Sequence, residues 1–109
     1  MLKWWEFREH LSEVQQQQVM EVVKLATEPD RNKVELASEY VQIVAINLPD
    51  EVKTKLVTIV ARGAASGAGS SPRAIAQINA AFPDAISKSP DLRALVLPCH
   101  PRLFHPDRA

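Results

Sequence analysis

The chain has 109 residues, 46% of them hydrophobic and 24% charged, and its thirteen basic residues balance thirteen acidic ones. That length suits one domain around one core, and the composition lies well away from the low-hydrophobicity, high-charge signature of disorder. Zero net charge removes a global field toward nucleic acid or anionic lipid, and no apolar run approaches the roughly 20 residues that cross a bilayer.

The first predicted helix runs from about Leu2 to Ala26 and closes ahead of Pro29, which cannot continue a helix. Trp4, Phe7, Leu11, Val14, Val22 and Leu25 follow helical steps of three and four, with Gln18 making the stripe locally polar. Ser12-Glu13-Val14-Gln15 fits a capping box, so a break or kink at Ser12 is slightly preferred to a continuous helix. The run Gln15-Gln16-Gln17-Gln18 reads as a solvated helix face, since glutamine is a good helix former.

Asp30 is a natural N-cap for a second helix reaching about Asn47. Val34, Ala37, Val41, Val44 and Leu48 form one stripe, and Leu36, Tyr40 and Ile43 widen it, which predicts burial over most of the circumference. Leu48-Pro49-Asp50 turns the chain into a third helix, with Val52, Leu56, Ile59, Val60 and Gly63 on one face. So short a connection predicts an antiparallel hairpin. Residues 63–71 are all Gly, Ala or Ser, and a flexible connector is expected there.

Ser71-Pro72 supplies an N-cap and a first-turn proline for the next helix, whose apolar face is Ile75, Ile78 and Phe82 and which Pro83 ends. Ser89-Pro90-Asp91 repeats the start signal ahead of Leu92, Leu95 and Val96, in a helix ending near Leu97. Three prolines between Pro98 and Pro106 rule out regular helix in the tail. Its Leu103 and Phe104 need cover from the bundle or from a partner's groove.

Few side chains recur at spacings that chemistry requires. Cys99, His100 and His105 are the one soft-ligand cluster, yet they lack the second pair a zinc site wants, and His10 would have to come from the far end of the chain. Cys99 and His100, adjacent in an extended segment, project to opposite sides, against a thiol nucleophile with its base. Ser66, Ser70 and Ser71 lack the strand that precedes a nucleophile elbow, and Gly67-Ala68-Gly69-Ser70-Ser71 lacks the Gly-Lys-Ser/Thr ending of a phosphate loop. The acid pairs Glu6 with Glu9 and Glu35 with Glu39 read as solvated helix faces. Lys53, Lys55, Arg62 and Arg73 could meet nucleic-acid phosphates around a helix-turn-helix, but four bases over two helices and a loop are too dilute for a concentrated basic face.

Charge is nevertheless uneven along the chain. Residues 1–50 carry nine acids and five bases, net −4, and residues 51–109 carry four acids and eight bases, net +4. Such asymmetry can steer head-to-tail association. Adjacent Trp4 and Trp5 cannot share one narrow helical stripe, and tryptophan is enriched in interface centres.

These patterns predict an all-α fold: a compact bundle of five or six short helices, a central helical hairpin and an irregular Pro-rich C-terminal tail. Residues 1–97 are expected to form one helical domain, and 98–109 the tail. The function expected is a non-enzymatic protein-protein interaction module, of adaptor, regulatory or inhibitor-like kind, that self-associates or binds another protein through Trp4, Trp5, Phe7, Leu103 and Phe104. A small helical DNA-binding transcriptional regulator is the alternative. No catalytic residue, metal or cofactor is expected. The lone Cys99 and the charged, signal-free start point to the cytoplasm.

Overall fold

A computed structural model describes residues 11–65 and 67–96. Six α-helices occupy them: α1 (Glu13–Thr27), α2 (Arg31–Val44), α3 (Asp50–Ala65), α4 (Pro72–Ala81), α5 (Pro83–Lys88) and α6 (Pro90–Val96), with 3-10 turns at Ala45–Asn47 and Gly67–Gly69. The chain therefore forms the all-α bundle its periodicity predicts, and no strand occurs among the described residues.

α1 begins at a cap and not as the continuation of a helix from Leu2. Ser12 is extended, at φ −68° and ψ 165°. Its hydroxyl accepts the Gln15 N–H at 3.1 Å, and Gln15 Oε1 accepts the Ser12 N–H at 2.8 Å, so each residue satisfies a donor the other leaves free. This break also resets the helical phase. A stripe drawn through Leu11 does not carry across a non-helical residue, and Val14, expected on the buried face, is 62% exposed. The buried line runs instead through Val19, Val22 and Ala26.

The glutamine run is not uniformly solvated either. Gln15 Nε2 donates to the Asn47 carbonyl at 2.8 Å, and Gln16 Nε2 donates to the Leu11 carbonyl at 3.1 Å. The first of these bonds ties the start of α1 to the 3-10 turn that follows α2, as antiparallel neighbours require.

Asp30 caps α2 as its sequence implies, accepting the Asn32 N–H at 2.8 Å. The stripe Val34, Ala37, Val41 and Val44 is buried, with Leu48 continuing it beyond the 3-10 turn. The second stripe behaves differently. Leu36 and Ile43 are exposed and Tyr40 is only partly covered, so α2 is buried on one side and not over most of its circumference.

The Ala45–Asn47 turn and Pro49 reverse the chain into α3, which buries Val52, Leu56, Val57, Val60, Ala61 and Ala64. α1, α2 and α3 pack against one another. α4 lies across α2 and α3, α6 packs on α3, and α5 links α4 to α6. One apolar cluster takes residues from all six helices.

Ser71 and Pro72 open α4 as expected: the Ser71 hydroxyl accepts the Ala74 N–H at 3.1 Å. Pro83 does end α4, but it also starts α5, because a first-turn proline loses nothing by lacking an N–H. Phe82, 9% exposed, is the cap shared by the two helices.

The Gly/Ala/Ser run expected as a connector is divided by the fold. Residues 63–65 close α3, Gly67–Gly69 form a 3-10 turn, and Gly69 and Ser71 are buried. A Cβ on Gly63 would stand 2.3 Å from the Ala26 carbonyl oxygen, and one on Gly69 would stand 2.7 Å from Val34 Cγ2. Small residues are here because backbones approach closely, which composition alone reads as a linker.

Candidate functional site

Three features of the described surface qualify for function, and each is placed by the elements that build it. The first is the outer face of α2. Leu36, Ile43 and Ile46 are 51%, 64% and 75% exposed, and Asn32 and Glu39 are exposed on the same side. Their spacing of 4, 3, 4 and 3 residues from 32 to 46 makes a single seam along the helix, with Ile46 continuing it into the 3-10 turn. Tyr40 borders it, half-buried against the core.

Buried and exposed faces of α2 are separated by a polar margin toward α4. Arg31 Nε donates to the Ser70 carbonyl at 3.0 Å, and the Ser71 hydroxyl donates to Glu35 Oε2 at 2.7 Å. The buried Ser38 hydroxyl reaches both the Glu35 carbonyl, at 2.8 Å, and the Gln77 side chain. These bonds leave no buried side-chain nitrogen or oxygen among the described residues without a partner. They also fix the rotation of α2, so its outer seam cannot roll inward without breaking them. Glu35, expected on a solvated face with Glu39, is instead the acceptor that anchors the α4 cap.

The second feature is a groove of about 460 Å³ where the C-terminal ends of α1 and α3 come together. Val23, Ala26, Pro29 and Ile59 supply its apolar wall, Gly63 and Gly67–Gly69 its floor, and Glu28 and Arg62 are its ionisable side chains. Two opposite charges on an apolar wall can orient a ligand. They do not provide a nucleophile paired with a base.

The third feature is a smaller notch of about 160 Å³ beside α5, where Asp50, Lys53, Asp84 and Lys88 surround Thr54 and Phe82. Lys53 lies 3.4 Å from Asp50, three residues before it on the same helix. That pair, with Lys53 partly and Asp50 largely exposed, is of the kind worth little to stability.

Trp4, Trp5, Phe7, Leu103 and Phe104, the contact residues expected from sequence, lie outside the described residues, as do His10, Cys99, His100 and His105. Among the described residues, no three His, Cys, Asp or Glu side chains gather as metal ligands would, and no helix is long and apolar enough to cross a membrane. Of the bases weighed for nucleic-acid contact, Lys53 is paired, and Lys55 and Arg62 also have interaction partners. Periodicity assigns Leu36, Tyr40 and Ile43 to the core and so hides the α2 seam. The signal for it is the separation of these residues from the Val34 stripe.

No protein family model matches the chain, and neither a curated protein nor a solved structure matches it.

Proposed function

We propose that this helical bundle is a non-enzymatic protein-interaction module, acting in the cytoplasm, whose contact surface is the outer face of α2. The observation that supports this reading is where apolar surface is left uncovered. Among the described residues, the exposed large hydrophobics are Val14, Met20, Leu36, Ile43 and Ile46, all on α1, α2 or the turn that follows α2. None falls on α3 to α6.

Scattered exposed apolar residues are ordinary, but a seam of them is not. Each of Leu36, Ile43 and Ile46 forgoes a good part of the roughly 1.5–3 kcal/mol that full burial of such a side chain contributes. A partner surface recovers that free energy. Trp4, Trp5, Phe7, Leu103 and Phe104 belong to the same proposal on sequence grounds. The DNA-binding alternative has less support, because three of its four candidate bases are already engaged within the bundle.

The test compares the wild-type chain with the Leu36→Glu/Ile43→Glu double variant. Both should melt within a few degrees of each other, since the changes are at exposed positions. A protein captured by the wild type and then identified should bind it as a purified pair in calorimetry, and lose that binding to the double variant. Equal affinity for both forms would remove α2 as the contact surface.

A further inference from the structure

We draw no further inference here: the strongest candidate, the apolar groove between the C-terminal ends of α1 and α3, carries two ionisable side chains of opposite sign, Glu28 and Arg62, that select no one ligand charge, and nothing in the structure shows what covers it.

Discussion

Replacing Gly63 by Ala pits helix propensity against packing within one methyl group. In an exposed helix interior the change stabilises by about 1 kcal/mol, because glycine loses more backbone entropy on folding. Here the new Cβ would stand 2.3 Å from the Ala26 carbonyl oxygen and 3.3 Å from its carbon. A carbon approaches a carbonyl oxygen no closer than about 3.3 Å in ordinary packing, so α1 and α3 must separate by about 1 Å. The obstacle is backbone in the last turn of α1, which cannot step aside as a side-chain tip can. A gap of that size forfeits a quarter to a half of the dispersion energy across the seam, where Val22, Ala26, Val60 and Ala64 are all buried.

Overpacking by one methyl costs about 1–3 kcal/mol, and a rigid obstacle puts this site at the upper end. After subtracting the propensity gain, Gly63→Ala should destabilise by about 2 kcal/mol. For a domain of this size that lowers the midpoint of thermal unfolding by roughly 8–16 °C, and the urea midpoint by about 1 M. Circular dichroism at 222 nm through both transitions measures it. A variant as stable as the wild type, or more so, would refute the close approach of α1 and α3 on which the groove depends.

Gly69→Ala meets Val34 Cγ2, a side-chain atom, at 2.7 Å. Its cost of about 1–2 kcal/mol should therefore shrink in a Val34→Ala background, giving a coupling of at least about 0.5 kcal/mol in a double-mutant cycle. Gly67 has φ +69°, and an added Cβ there would have nothing within 4 Å, so Gly67→Ala should cost about 1–2 kcal/mol through backbone strain alone, with no such coupling. Ser71→Ala removes a helix cap and the donor to Glu35, and about 2 kcal/mol should be lost in urea titration, less when Glu35→Ala is already present. Ser12→Ala should lower stability by about 1 kcal/mol and speed amide exchange at Gln15, whose N–H the serine holds at 3.1 Å.

Local rules make much of this fold readable. Ser12, Asp30 and Ser71 each act as caps in the structure because capping depends on residues two or three positions away, and these lie within one window of sequence. The Val34 stripe is readable for the same reason. What escapes a local reading are features decided by a partner far along the chain. The small size of Gly63 is demanded by Ala26, and that of Gly69 by Val34, both more than 30 residues earlier. Val14 escapes because a break at Ser12 changes the phase of the helix behind it, and a stripe drawn from Leu11 ignores that change. Pro83 reads as a stop, yet the same lack of an N–H also lets it start α5.

α2 shows where periodicity stops being informative. Its apolar residues form two stripes, and both are drawn with the same letters: aliphatic side chains at helical steps. The number of neighbours available decides between core and surface. α1, α3 and α4 all pack on α2, and three helices of about 10 Å diameter can surround one side of a fourth but not close around it. The bonds from Arg31, Glu35 and Ser38 to the start and middle of α4 then settle which side is left open. An aliphatic stripe in this position is therefore the part of the pattern that the described helices α1 and α3 to α6 do not cover.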